Sequence, residues 1–274
     1  VKPWERAKQL SYYFNAVSEE LVTSEDLKKD PDPAVQVLAK AYEIYQSLLA
    51  EENAMDFSSI QVIAYNLLKE NGSVRQKVQE QLRYVMIDEY QDTNYVQEQL
   101  IFMIAERHRN ICVVGDDDQG LYRFRGATIR NILEFPSKWE GCAQYSLVEN
   151  YRSEKDIVKF YNEWMQDTEE GGFEWKNFRY SKTIVPSKPH QVEEVPTVVK
   201  VSGQRAQQNW GDRIIDFIGK LKASSTITDY NQVAFLFRSV KNPRVKAIAD
   251  YLEQHGIPIY SPRSAMFFER EEIR

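Results

Sequence analysis

The chain has 274 residues and a formal net charge of −6, with 35 Lys and Arg side chains against 41 Asp and Glu. This length can bury one large core or two moderate ones. The acidic excess argues against a protein that coats nucleic acid with its whole surface, so any such contact is expected as a local basic stripe. No apolar run is long enough to span a membrane, and no secretory signal pattern begins the chain.

The first half predicts helices around two short strands. Residues 1–54 read as an all-helical lobe without a catalytic signature, because apolar residues recur there at helical spacing. The helices predicted up to residue 108 are 4–22, 33–52, 58–70, 73–82 and 95–108, with a turn-rich stretch at 28–33. Cys112 and Cys142 have no paired spacing, which favours reduced thiols of a cytoplasmic protein over a disulfide or a metal site.

The run from Tyr84 to Ile87 predicts a buried strand that ends in acids, with Asp88 and Glu89 directly after it and Asp92 close behind. Open α/β sheets bind their ligands at the carboxyl ends of such strands. One carboxylate there can hold Mg²⁺, and its neighbour can orient or deprotonate a water aimed at a phosphate. An acid that merely caps the next helix is the alternative interpretation.

A second strand, predicted from Ile111, ends in the same way about two dozen residues later, in a glycine, three acids and Gln119. An alternating string follows: Tyr122, Arg123, Phe124 and Arg125. Such interleaving is typical of single-stranded nucleic-acid platforms, where bases stack on rings and guanidinium groups meet phosphates. Core aromatics beside solvated arginines are the alternative. The position directly after an acidic strand end favours the functional interpretation.

The remaining chain predicts a second lobe after a connection near 136–141 that can act as a hinge. Its strand 143–148 leads into a polar cluster that contains Tyr151 and Arg152, and an arginine there can reach a transferred phosphoryl group. Residues 166–195 predict an irregular loop. The later elements predicted are helices 154–165, 205–222 and 243–255 and strands 196–202, 232–237 and 257–260.

These runs resemble motifs II, III and IV of UvrD/Rep-type superfamily 1 DNA helicases. The matching segments are Asp88-Glu-Tyr-Gln-Asp-Thr-Asn94, Val114–Ala127, Asn150-Tyr-Arg-Ser153 and Phe267–Ile273. The resemblance runs from about Met55 to the last residue. It implies an α/β fold with two partial RecA-like lobes of the P-loop NTPase type, over 55–138 and 139–274, and makes residues 1–54 an insertion in the first lobe.

The resemblance also implies a role for each site residue. Asp88 would coordinate Mg²⁺ together with Glu89, and Glu89 would be the general base for the water that attacks ATP. Gln119 would sense the γ-phosphate, Tyr151 would stack on the adenine, and Arg152 would be the arginine finger. Asp92 would couple motif II to its neighbours at the nucleotide. The DNA contacts would come from Tyr122, Arg123, Phe124 and Arg125.

The chain departs from the family pattern at three positions of motif III. Gly120 stands where the family has Ser, Leu121 where it has Ile, and Arg123 where a small residue is common. None of them is an ATP carboxylate, so they bear on DNA affinity rather than on the assignment.

No G-x-x-x-x-G-K-[ST] occurs in these residues, so the loop that cradles the β- and γ-phosphates is missing from them. We therefore interpret the chain as the middle part of a longer helicase and predict that it hydrolyses ATP poorly or not at all by itself.

The implied function of the longer protein is ATP-driven movement along one DNA strand, 3′ to 5′ by family analogy, in repair or replication, with single-stranded DNA and single/double-strand junctions as partners. Two alternatives stay open. One is the subunit of a helicase–nuclease, and the other is a DNA-binding structural homologue without a motor.

Overall fold

A computed structural model describes residues 3–120, 129–166, 179–187, 198–199 and 208–260. The chain divides into two compact units, Val1–Gln191 and Val192–Arg274. The helices of the first unit are α1 (Pro3–Glu19), α2 (Ser24–Lys28), α3 (Pro33–Glu51), α4 (Phe57–Glu70), α5 (Gly72–Gln81), α6 (Tyr95–Ala105), α7 (Ile129–Lys138) and α8 (Lys155–Trp164). Its strands are β1 (Val85–Ile87), β2 (Ile111–Val113), β3 (Glu149–Asn150) and β4 (Val185–Pro186), and the second unit holds α9 (Gln208–Ala223) and α10 (Pro243–Gln254).

Of the N-terminal helices, α1 and α3 are those that the periodicity predicts, whereas the short helix α2 was not predicted. Phe14 of α1 packs against Tyr42 and stacks on Tyr45 of α3, with ring centroids 4.7 Å apart in the stacked pair. Thr23 begins the short helix α2, because its side chain accepts from the Asp26 N–H in a capping box. The turn predicted at 28–33 is therefore limited to residues 29–32, between α2 and α3.

The sheet of the first unit consists, in the described residues, of two parallel pairs rather than one broad layer. Strands β1 and β2 pair in register, with Met86 opposite Cys112. Ile87 and Val113 point to a core built by Tyr90, Ile132 and Phe135. Met86 points the other way and is 77% exposed, so the prediction of a buried strand is wrong for this face: the described residues leave the Met86 side of the pair uncovered.

The strand predicted at 143–148 is wrong as well. Tyr145 and Leu147 are exposed, and pairing begins only at Glu149, where β3 runs parallel to β4. A strand exists only where a neighbour accepts its backbone hydrogen bonds, and β4 offers two residues. The strand β4 itself lies inside the stretch predicted as irregular.

Helix α7 continues through Pro136, where the sequence predicts the start of the connection, and ends at Lys138. Proline has no N–H to donate to the carbonyl four residues earlier. That carbonyl, of Ile132, accepts from the Tyr180 hydroxyl instead, at 3.0 Å. The chain turns after the helix, at Gly141, whose φ is +79°.

The second unit packs α9 against α10 around Ile218, Ile227, Leu252 and Ile257. Both helices were predicted, whereas the strands predicted at 232–237 and 257–260 are wrong. Leu236 is 93% exposed, and residues 230–232 form a single 3-10 turn. An apolar run resembles a strand in sequence, but no described residue pairs with this one. The strand predicted at 196–202 lies mostly outside the described residues. None of the described helices is long and apolar enough to cross a membrane.

Candidate functional site

The acidic pair lies at the carboxyl end of β1. Asp88 and Glu89 are both exposed, and the Glu89 N–H donates to Asp88 Oδ1 at 2.9 Å. Glu89 has φ +50° and ψ +43°, a left-handed conformation that few non-glycine residues adopt and that costs about 1–3 kcal/mol. Such strain persists because Tyr90, fully buried next to it, fixes the turn in the core.

Gln91 joins the two acidic strand ends. Its side chain is 1% exposed, its Nε2 donates to Glu89 Oε2 at 2.7 Å, and its Oε1 accepts from the Asp116 N–H at 3.0 Å. A backbone bond runs alongside, from the Tyr90 N–H to the Val114 carbonyl at 2.9 Å. The segment after β1 and the segment after β2 are therefore held as one piece.

Gln119 completes this hydrogen-bond chain. It ends the 3-10 turn Asp117–Gln119, and its Nε2 donates to Asp116 Oδ2 at 2.8 Å. The hydrogen bonds thus connect Glu89, Gln91, Asp116 and Gln119 in that order, through the backbone N–H of Asp116 on one side and its carboxylate on the other. The structure brings together the predicted base and the predicted phosphate sensor through two residues that the sequence prediction did not assign to the site.

Three consecutive acids of this turn meet cations from the segment 179–187, which we call the strap. Lys182 Nζ lies 2.6 Å from Asp116 Oδ1 and 2.5 Å from Asp117 Oδ1. Arg179 binds Asp118 through two bonds, of 2.9 and 3.0 Å. The Tyr161 hydroxyl of α8 also donates to Asp118.

Electrostatics keep Asp116 and Lys182 charged. Burial, the largest influence on the pKa of Asp116, raises it, but hydrogen bonds from Lys182 and Gln119 outweigh burial, and the pKa is lowered. For Lys182, burial is again the largest influence and lowers the pKa. The hydrogen bonds to Asp116 and Asp117 outweigh it, so the pKa of Lys182 lies above its ordinary value. Both groups therefore stay ionised near neutral pH.

Polar contacts to α6 and α7 hold the turn after β1 in place. Asn94 begins α6 as its cap, and Asn131 of α7 donates through Nδ2 to the Thr93 and Asn94 carbonyls. Glu98 is fully buried, where it accepts from the Tyr90 hydroxyl and pairs with Lys138 at 2.9 Å. Asp92 is half-buried within this turn, and its proposed coupling role stays a prediction.

The other predicted nucleotide residues lie on the segment after β3. Asn150 accepts through Oδ1 from the N–H groups of Arg152 and Ser153, at 3.0 and 2.7 Å, which shapes the turn. The Tyr151 hydroxyl donates to Glu149, and both the Tyr151 ring and the Arg152 side chain are exposed. Among the described residues, no hydrogen bond or ion pair joins either side chain to Asp88, Glu89 or Gln119.

The predicted DNA contacts, Tyr122, Arg123, Phe124 and Arg125, lie outside the described residues, as do Leu121 and the segment Phe267–Ile273. Gly120 is described and packs against Ile129. The sequence prediction missed Gln91 and Asp116, although both stand inside the quoted motifs. It also missed Arg179 and Lys182, for which the sequence carries no signal, because they lie in a stretch that predicts an irregular loop.

No group of three or more His, Cys, Asp or Glu that can enclose a metal occurs among the described residues. An acidic pair suits Mg²⁺ nevertheless, since this ion keeps several waters and takes one or two carboxylates plus phosphate oxygens. Asp88 and Glu89 supply such a pair, exposed at the end of a strand.

The fold and the site define an α/β protein whose polar residues gather at the carboxyl edge of parallel strands, where such proteins bind nucleotides. The UvrD/REP helicase N-terminal domain matches residues 2–140, and the UvrD-like helicase C-terminal domain matches residues 145–274. The chain belongs to the UvrD/Rep helicase family.

Several relatives carry the name ATP-dependent DNA helicase PcrA. The protein of Staphylococcus epidermidis is 29% identical over 259 residues, which cover 93% of this chain and 33% of that protein. The Bacillus subtilis protein is 30% identical over 87% of this chain and 30% of its own length. The Staphylococcus aureus protein is 38% identical over 55% of this chain and 21% of its own. The chain thus spans about a third or less of the length of these relatives.

Proposed function

We propose that these residues form part of the ATP site of a DNA helicase that moves 3′ to 5′ on single-stranded DNA and acts at single/double-strand junctions in repair or replication. The observation that carries the proposal is the hydrogen-bond chain Glu89–Gln91–Asp116–Gln119 at the edge of the sheet. A base that activates water and a donor to the γ-phosphate must act on one phosphoryl group, so their side chains need a fixed relation. The relatives are named ATP-dependent DNA helicases, which supports ATP and DNA as ligands.

The proposal gives each candidate site residue a role. Glu89 accepts the proton of the attacking water, and Gln91 holds the carboxylate in place through its bond to Oε2. Gln119 donates to the γ-phosphate, and Arg152 offsets negative charge on the transferred group. Tyr151 stacks on the adenine, while Asp92 helps to hold the turn between the two acidic strand ends.

Mg²⁺ would be held by Asp88 with Glu89 beside it, and it supplies neutralisation of the phosphate charges. The proposed DNA contacts are Tyr122, Arg123, Phe124 and Arg125. The proposed location is the cytoplasm, in keeping with the unpaired thiols of Cys112 and Cys142. The 274 residues alone are proposed to hydrolyse ATP poorly, because they contain no phosphate-cradling loop.

The test is Glu89→Gln in the full-length protein, with DNA-stimulated ATP hydrolysis as the measurement. General-base catalysis contributes about 10²–10⁴-fold, so turnover should fall by that factor while Mg–ATP binding persists. Glu106→Gln is the matched control, since Glu106 is exposed at the end of α6. Unchanged turnover in Glu89→Gln would refute the assignment of the base.

A further inference from the structure

Lys182 occupies a central place in the acidic turn. Its ammonium group lies 2.6 Å from Asp116, 2.5 Å from Asp117 and 3.2 Å from Asp118. An ammonium has three N–H groups, so the three carboxylates can occupy all of them. The side chains of Asp117 and Asp118 are almost fully buried, at 4% and 2% exposed, and they fix the position of the Lys182 head.

Asp116 is the exposed member of the three, with 38% of its side chain accessible. It is also the one that binds Gln119, through Oδ2 at 2.8 Å. Lys182 takes the other carboxylate oxygen, Oδ1, which also accepts from the Asp118 N–H at 3.1 Å. Because Asp116 is held from several sides, its side chain has little rotamer freedom. The Gln119 amide, which is bonded to this carboxylate, is therefore ordered as well.

The strap that carries Lys182 is anchored by contacts that do not involve this lysine. Arg179 binds Asp118, and the Tyr180 hydroxyl donates to the carbonyl of Ile132 that Pro136 leaves without its helical donor. Ile184 exchanges two bonds with Asn162 of α8, of 2.8 and 3.1 Å. The strap therefore stays in place when the Lys182 head group is removed.

We propose that Lys182 is a positioning residue of the nucleotide site, which orients the Gln119 amide toward the terminal phosphate by holding Asp116. This inference rests on the proposed function and adds to it a residue 63 positions beyond Gln119, from a different part of the chain. Lys182 itself does not touch the nucleotide. Its effect falls on the contact that distinguishes a triphosphate from a diphosphate, because Gln119 is assigned to the γ-phosphate alone.

The experiment measures, in the full-length protein with Mg²⁺, the dissociation constants of ADP and of the β,γ-imido analogue of ATP. Lys182→Met keeps the apolar stem and removes the charge. It should weaken the analogue about tenfold, the loss of one charge-assisted bond, and leave ADP unchanged. Lys182→Arg should restore part of the preference. Lys159→Met is the matched control, on a lysine of α8 that is 73% exposed.

A purely structural lysine would give a different result. Lys182→Met would then lower the melting temperature while the ratio of the two dissociation constants stayed as in the wild type, and the inference would be overturned. In a Gln119→Ala background, Lys182→Met should have no further effect on that ratio, because both substitutions remove the same contact. An independent loss in the double variant would likewise contradict it.

Two further outcomes separate this inference from the proposed function. If Gln119→Ala abolishes the preference for the analogue and Lys182→Met does not, the function stands and the inference fails. If the wild type binds neither nucleotide, both fail. If Lys182→Met does not fold, the double variant Lys182→Met/Asp117→Asn replaces it, because it removes one negative charge together with the cation. The same tenfold weakening of the ATP analogue is expected for this variant.

Discussion

Gly115 lies in close contact with the segment that follows β1, and replacing it with alanine tests this packing. A Cβ at this position would lie 2.5 Å from Gln91 Oε1, 2.7 Å from Ile132 Cδ1 and 3.2 Å from the Tyr90 backbone nitrogen. The first two distances are shorter than Cβ contacts in proteins, so the neighbours must move. Gln91 would lose its bond from the Asp116 N–H, and Ile132 would shift in the core.

The magnitude follows from these two effects. Overpacking of a core costs about 1–3 kcal/mol, and one lost hydrogen bond of a buried amide costs about 1 kcal/mol. Gly115→Ala should therefore lower the free energy of unfolding by about 2–4 kcal/mol. The turnover of the full-length protein should fall too, because Gln91 no longer joins Glu89 to Asp116.

Urea unfolding of the chain, followed by circular dichroism, measures this change. Gly72→Ala is the control in the same unit, since a Cβ there meets nothing within 4 Å and the residue begins α5. That variant should be unchanged or more stable by up to about 1 kcal/mol. A Gly115→Ala protein as stable as the wild type would refute the close approach of Gln91 to the second strand end.

Three other predictions concern the strap, the acidic turn and the DNA contacts. Tyr180→Phe should cost about 1 kcal/mol in urea unfolding, because it removes the donor shared by the Ile132 and Leu133 carbonyls of α7, and no loss would mean that solvent serves those carbonyls equally well. Because the pKa of Asp116 is lower in the folded than in the unfolded chain, this carboxylate stabilises the fold at pH values above its unfolded pKa, and the contribution disappears as the pH falls through the folded pKa. Asp116→Asn should therefore flatten the acid limb of stability against pH, and an unaltered limb would contradict the cause given for the shift. Phe124→Ala should weaken single-stranded DNA binding by about 1–3 kcal/mol in fluorescence titrations, and an unchanged isotherm with an intact fold would make Phe124 a core residue.

The helices show how far local patterns predict this fold. Helices α3 and α10 begin within a residue of the predicted positions, because Asp32 with Pro33 and Asn242 with Pro243 are start signals that act within one turn. The strands were predicted less well. Residues 143–148 and 232–237 have the apolar composition of strands, yet they remain without pairing in the described structure, since a strand depends on a partner elsewhere in the chain.

The residues of the candidate site were likewise predicted only in part. Asp88, Glu89 and Gln119 were predicted from the ends of two apolar runs, which the structure confirms as parallel strands with joined ends. Gln91 and Asp116 lie in the same motifs, but the sequence prediction gave them no role. The sequence alone does not show that the Gln91 amide reaches both Glu89 and the backbone of Asp116.

The sequence by itself determined the family, the acids and glutamine of the proposed nucleotide site, and the described helices other than α2 and α7, because each depends on residues within a few positions of one another. Only the tertiary structure decided which cations meet the acidic turn. Lys182 lies 66 residues from Asp116, and Arg179 lies 61 from Asp118, on a segment without a motif or a periodic pattern. An ion pair requires a separation of a few ångströms in space and sets no condition on separation along the chain, so its partners are fixed by the path of the folded backbone.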